Sequence, residues 1–397
     1  MAFLENIRCL LRYRRAFIGH PTDASVGRSA YFPSVDILRG FAALSVLVYH
    51  VIETWNWHEF PHEGWLSWFR IGWLGVDLFF VISGFVIGLS AFAGIDRHGP
   101  KGFRAQFIRR RLARIVPLYY VTCGVFIVLL MPRPWAEDIG FNVIAHALFV
   151  HNLFPSVQGA LNAPNWSLGI EMQFYLFVML VAPWLRGRHG VAWLIAMIAL
   201  AWVWRYFAFQ LLAPLPPDRE TELWLATVQL PGALDEFAAG LLLAVFLRSD
   251  IGRRVLTLLV RRPAVVLALF VVAGMMFGLA VLIHRAGPPF WQSVVTVTTI
   301  RTPLAATVAL LLLIACSLNS ELWLRWSAPF RYLGVISYGI YLWHWLVLLA
   351  LHRAGVVNPV VGLVLTLAIT LALSACSWHV LEKPIIKRFS RSSDTGD

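Results

Sequence analysis

The sequence predicts an all-α bundle of about ten membrane-spanning helices, with a re-entrant or interfacial segment near residues 142–154. Three observations lead there. Apolar residues make up 59% of the 397 and charged residues only 14%, whereas soluble domains carry about 25% charged residues. Apolar runs suited to crossing ~30 Å of hydrocarbon recur from end to end. Lys and Arg are concentrated in alternate loops between those runs, the bias expected of a polytopic protein.

The first thirty residues contain no apolar core suited to a cleaved secretory signal, so the first span is expected to act as an uncleaved anchor. Spans are read at 35–54, 72–94, 115–131, 166–185, 191–212, 231–247, 264–283, 303–318, 333–351 and 359–381. The shorter ones need a locally thin bilayer. The stretch FNVIAHALFVHNLF from Phe141 is too short to cross and carries His146, His151 and Asn152. A membrane tolerates such a segment only when protein surrounds it.

With the N-terminus inside, the inner segments hold 25 Lys and Arg and the outer segments 6, while Arg39 and Arg205 fall within spans. This asymmetry places both termini in the cytoplasm. Making 142–154 a full crossing would put the basic loop at 248–263 outside. The expected organisation is a cytoplasmic segment 1–34, a membrane domain 35–384 and a disordered cytoplasmic tail 385–397. The net charge of +12 belongs to the inner loops, so no nucleic-acid partner is expected; the partner surface is the lipid bilayer. Cys9, Cys123, Cys316 and Cys376 have no CxxC or zinc spacing and read as small apolar residues. His146 and His151 are five apart, not the helical i,i+4 metal pair, so no metal is expected. No P-loop, dinucleotide fingerprint or GxSxG elbow occurs.

Ionisable groups inside spans are costly and mark function. Arg39 and His50 lie in DILRGFAALSVLVYH, from Asp36. Eleven residues amount to about 20° past three full turns, so the two share a helix face roughly 16 Å apart. Either they line a path for group transfer, or Arg39 snorkels to the interface and His50 bonds within the bundle. Asp77, in GVDLFFVISGF from Gly75, either orients His50 or satisfies a helix start. Arg110, Arg111 and Arg114 lie in FIRRRLARIVPLYY, where the third span begins. Arg111 and Arg114 share a face, fit either to grip the phosphates of coenzyme A or to anchor on anionic lipid. In NWSLGIEMQFYLF from Asn165, Trp166, Ser167 and Glu171 are candidates for acceptor contact, with Ser167 equally suited to cap the helix. Asp235 and Glu236 read as an acidic helix start. Tyr338, Tyr341 and His344, in GVISYGIYLWHWL, form a polar stripe that is either a cavity wall or interhelical glue. Glu382-Lys383-Pro384 reads as a helix stop.

Taken in order, these stretches resemble the acyltransferase 3 family of bacterial membrane O-acyltransferases, which acetylate O-antigen, exopolysaccharide and Nod-factor sugars. The matching elements are the Arg39-to-His50 run, GVDLFFVISGF, RRRLARIVP from Arg109, NWSLGIEMQFYLF, SYGIYLWH from Ser337 and Glu382-Lys383-Pro384. The resemblance implies ten core spans, an acyl-coenzyme A donor with no permanently bound cofactor, and Arg39 with His50 as the functional pair. It also makes Arg111 and Arg114 an Arg-x-x-Arg element facing the donor. Some members carry a fused periplasmic hydrolase-like domain, expected here to be separate or absent. The expected function is transfer of an acyl group, most simply acetyl, to a hydroxyl of a carbohydrate or glycolipid in the bacterial inner membrane. In that scheme His50 is the base or acyl carrier, and Asp77 or Glu171 orients it or the acceptor. The competing class is a transporter or flippase for a glycolipid or organic anion, since buried Arg, His and Glu also mark transport paths. Its usual repeat pair is absent from the sequence.

Overall fold

A computed structural model describes residues 31–130, 139–212, 220–286 and 290–391. Among them every regular element is helical. The chain begins with α1 (Val35–Thr54), α2 (Leu74–Leu129) and the short α3 (Ile139–Ala147). It continues through α4 (Trp166–Arg186), α5 (Gly190–Leu212), α6 (Glu220–Thr227), α7 (Leu230–Arg248), α8 (Asp250–Arg261) and α9 (Pro263–Ala286). Beyond these lie α10 (Val294–Thr299), α11 (Arg301–Ser317), α12 (Glu321–Trp326), α13 (Ala328–Val335), α14 (Ser337–Arg353), α15 (Pro359–Ser377) and α16 (Lys383–Arg391).

Eight helices among the described residues are long and apolar enough to cross a membrane, or nine when the bent pair α13 and α14 counts as one span. One of the eight, α2, has 56 residues, about 84 Å at 1.5 Å per residue, far beyond one crossing of ~30 Å. It breaks at Gly99, whose φ of 71° suits glycine, with Pro100 directly after. The apolar arms on either side of that break are the second and third expected spans. The ten apolar runs of the sequence therefore all lie on helices.

Contacts at the helix ends agree with the expected pairing of loops. Asp96 bridges Arg186 and Arg248, bringing three loops read as inner to one face. At the opposite ends the Trp55 indole donates to the Val356 carbonyl at 2.8 Å, and Arg353 donates to the Leu130 carbonyl. The segment near 142–154 is a short helix, a tight turn and a 3₁₀ turn, with His146, His151 and Asn152 buried in protein.

Two expectations about the later chain change. The ninth run is not one straight helix, because α13 and α14 meet at 68°. Gly334, just before the bend, sits against the Asp36 backbone of α1 so closely that a Cβ would collide. The Glu382-Lys383-Pro384 stretch is also no helix stop. Helix α15 runs through a π-helical turn, Trp378–Glu382, directly into α16. Residues 385–391, expected to be disordered, are thus helical; Ile385, Ile386 and Phe389 alternate with Lys387 and Arg388 at helical spacing, and α16 packs on α2. Residues 1–30 and 392–397, which complete the expected terminal segments, lie outside the described residues.

Helix α2 also crosses α7 closely. Gly84 faces the Phe237 backbone and Gly240 faces the Val81 backbone, so a side chain on either would force the helices apart. Small residues permit this approach, the usual device where lipid supplies no hydrophobic drive. It fixes the side of α2 that carries the candidate site.

Candidate functional site

A cavity of about 810 Å³, counting its open mouth, lies between α1, α2, α4 and α14. Its cationic wall is Arg39 of α1 with Arg111 and Arg114 of the second arm of α2. Beside them stand Glu171 and Tyr175 of α4, and the lining also includes Ser167, Ser337, Tyr338 and Tyr341. Apolar residues of the first arm of α2, among them Val76, Phe79, Phe80 and Ile87, complete the lining.

Most of the polar side chains on the lining have a partner, although the buried Ser337 hydroxyl has none. Glu171 accepts hydrogen bonds at one oxygen from Ser83 (2.7 Å) and Tyr175 (2.6 Å). The Ser167 and Tyr341 hydroxyls lie 2.7 Å apart, and Tyr341 donates to the Pro164 carbonyl at 2.8 Å. Ser167 is not the cap of α4: Asn165 holds that position, and Ser167 bonds across to α14. Tyr338 donates to the Ile115 carbonyl at 2.7 Å. The Arg111 guanidinium sits over Phe107 and Tyr175, 5.7 and 5.8 Å from the ring centres. Arg114 lies 5.0 Å from the Trp378 ring centre and 3.5 Å from the buried Glu382 carboxylate. Stacking on aromatic faces keeps a guanidinium extended and its donors aimed.

Of the residues singled out in the sequence, Arg39, Arg111, Arg114, Ser167, Glu171, Tyr338 and Tyr341 meet at this cavity. Others do not. Arg110 is exposed on the helix and absent from the lining. Trp166 packs on Phe80 and Trp224 instead. His50 and His344 pair with each other, Nδ1 to Nε2 at 3.0 Å, beyond the cavity end. Tyr341 separates the two regions, its ring centre 5.8 Å from that of His344. His344 is fully buried, whereas His50 keeps some exposed surface.

Asp77 has a different partner from the one expected. It lies 3.5 Å from Arg301, which also bonds Glu236 at 3.0 Å. The cavity face of α2 runs through Val76, Phe79, Phe80, Ser83, Val86 and Ile87, the i, i+3/i+4, i+7 pattern of one face. Asp77 is about 120° round the helix from Ser83 and points to α7 and α11. Asp235 and Glu236 are likewise no mere helix-start charges. Both are fully buried in α7. Asp235 takes a bidentate pair from Arg205, at 3.0 and 2.6 Å, and a bond from Thr302 at 2.6 Å. Arg301, assigned to an outer loop from sequence, is therefore a buried counter-ion at the first turn of α11.

Sequence reasoning missed Ser83, Tyr175 and Glu382. Ser83 sits in the same stretch as Asp77 at the spacing of the apolar cavity face, and Tyr175 follows Glu171 by one turn; those periodicities were the available signal. Nothing local marked Glu382, whose partner is 268 positions away in the chain at Arg114.

A family profile described as an acyltransferase domain matches residues 32–379. The chain belongs to the acyltransferase 3 family. Among its relatives, the peptidoglycan O-acetyltransferase OatA of Listeria monocytogenes is 24% identical over 383 residues, covering 90% of this chain and 56% of the relative. The O-acetyltransferase OatA of Staphylococcus aureus is 25% identical over 389 residues, 90% of this chain and 58% of the relative. The acyltransferase MdmB of Streptomyces mycarofaciens is 30% identical over 245 residues, 57% of this chain and 60% of the relative. The chain thus spans somewhat over half the length of these relatives. No solved structure is significantly similar to it. Every cavity residue of this acyltransferase 3 chain falls within the matched segment, while Glu382 lies just beyond it.

Proposed function

We propose that this acyltransferase 3 protein transfers an acyl group, most simply acetyl, from acyl-coenzyme A to a hydroxyl of a carbohydrate or glycolipid. The observation that carries the reading is the convergence of Arg39, Arg111 and Arg114 on one cavity. Glu171 on the lining and Glu382 on Arg114 offset part of that positive charge, and a polyanion entering the cavity supplies further counter-charge. Guanidinium groups match phosphate oxygens in bidentate geometry, so the donor phosphates and their thioester chain suit a cavity that is basic on one wall and apolar on another. The O-acetyltransferase names of the relatives favour acetyl. The loop charge bias supports a bacterial inner-membrane location with the basic face and both termini in the cytoplasm.

In this scheme the thioester enters past the arginines and its acyl carbon advances toward Tyr341. His50, on the far side, takes the proton of the acceptor hydroxyl while the alcohol oxygen attacks the thioester carbon. The C–S bond breaks, and the proton passes to the departing thiolate. The alternative order, in which His50 carries the acyl group before the alcohol takes it, uses the same imidazole nitrogen. Glu171, fixed by Ser83 and Tyr175, and Ser167 with Tyr341 line the route between.

The test is purified protein in lipid nanodiscs or vesicles, supplied with labelled acetyl-coenzyme A and a panel of glycans. Label on a glycan hydroxyl is the expected result. Vectorial movement of unmodified glycan, without labelling, would replace this reading with transport.

A further inference from the structure

The paired imidazoles beyond the cavity carry a chemical constraint. His50 Nδ1 and His344 Nε2 are 3.0 Å apart, with ring centres 5.2 Å apart and planes only 15° from parallel. Two imidazoles joined edge to edge in one plane have their centres just over 5 Å apart, so this is an in-plane hydrogen bond rather than a face-to-face stack. The other ring nitrogen of His344, Nδ1, lies 3.1 Å from the Ile340 carbonyl oxygen. A carbonyl can only accept, so His344 Nδ1 bears the hydrogen. In a neutral imidazole the second nitrogen is then a lone-pair acceptor. His344 Nε2 must accept, His50 Nδ1 must donate, and His50 Nε2 is left with a free lone pair.

We propose that His344 is a positioning residue that fixes His50 as its Nδ1–H tautomer and so keeps Nε2 unprotonated for transfer. This rests on the role given to His50 above. The proton taken from the acceptor alcohol goes to His50 Nε2, and the resulting imidazolium keeps its Nδ1–H bond to His344. A carboxylate performs the same orienting task in the serine-protease triad; here a neutral ring performs it, held by the backbone of its own helix. His344 is fully buried, which protects that bond from water. Trp345 and Tyr49 rings, with centres 5.0 and 5.3 Å from that of His50, limit rotation of the imidazole. An acyl-carrying His50 needs the same lone pair, so the assignment serves both orders of reaction.

Nitrogen-15 NMR of histidine-labelled protein in bilayers tests this without any substrate. The His50 signals are assigned by their loss in His50→Gln. The full-length protein is expected to show His50 as the Nδ1–H tautomer alone, with a mixture in His344→Phe. A His50 signal of the Nε2–H form in the unaltered protein, or one unchanged in His344→Phe, overturns the proposal. Transfer assays add a second readout. His344→Gln, whose amide oxygen can accept the same N–H, should retain most of the turnover, while His344→Phe should lose about 10²-fold in kcat with an unchanged KM for acetyl-coenzyme A. Equal loss in both variants, with a raised donor KM, indicates a structural role and overturns the proposal. Should the tautomer mix in His344→Phe while His50→Gln transfers normally, the lock stands and the catalytic reading of His50 falls.

Discussion

Asp77 lies 3.5 Å from Arg301 and shares that guanidinium with Glu236. The acid in the first turn of α2 therefore serves a charge network between α2, α7 and α11, about a third of a turn round the helix from the cavity-lining Ser83. That network continues through Asp235 to Arg205, which is fully buried and donates as well to the carbonyls of Thr298 and Gly232, each at 2.9 Å. A buried ion that keeps its partners need add little net stability, but one stripped of them is costly.

Replacing Arg205 with Met should therefore leave Asp235 as an uncompensated buried charge and destabilise the protein by about 3–5 kcal/mol. Thermal unfolding in detergent measures this. The double variant Arg205→Met with Asp235→Leu should recover much of the loss; a double variant as unstable as the sum of the singles would disprove the pairing argument.

Donor binding should depend on Arg111. Its loss removes a charge-assisted contact of about 1.5–3 kcal/mol, some ten- to hundredfold in Kd for coenzyme A, read by calorimetry. Arg110→Ala, on the exposed side of the same turn, should change binding by far less. Equal effects would show that general positive charge, and not the cavity, attracts the donor.

His50→Ala should lower turnover by about 10²–10⁴-fold while coenzyme A binds as before, because His50 lies outside the cationic cavity. Normal transfer by a correctly inserted His50→Ala protein removes it from the chemistry.

Tyr341 stands between the cavity and the imidazole pair, with its hydroxyl bonded to Ser167 and Pro164. Enlarging it to Trp should slow transfer more than tenfold, a barrier increment of about 1.4 kcal/mol or more, with donor affinity within a few-fold of normal. Single-turnover assays beside equilibrium binding separate the two. An unaffected transfer rate would mean that the acyl group takes another route.

The helical spans, the loop charge bias and most of the polar cavity residues are legible in the sequence because each is a local or periodic signal. Arg39 and the Arg111–Arg114 pair stand out as cations at the edges of apolar runs. Glu171 stands out as an acid within one. For Asp77 the sequence leaves two roles open, because helix phase alone does not say which face meets the cavity; Ser83 lies on that face and Asp77 does not. Hydropathy starts the span at 303 and so leaves Arg301 in the loop, whereas helix α11 begins at Arg301 itself.

By itself the sequence determined that the chain is a bundle of apolar helices, which loops share a side, and which ionisable residues demand an explanation. Apolar length, charge placement and residue spacing are properties of the linear chain. Tertiary structure decided the partners: Arg301 for Asp77, Glu382 for Arg114, His344 for His50. A buried charge or imidazole takes whichever complementary group helix packing brings within hydrogen-bond reach, and that distance is set by helix crossings, such as the one at Gly84 and Gly240 that holds α2 against α7.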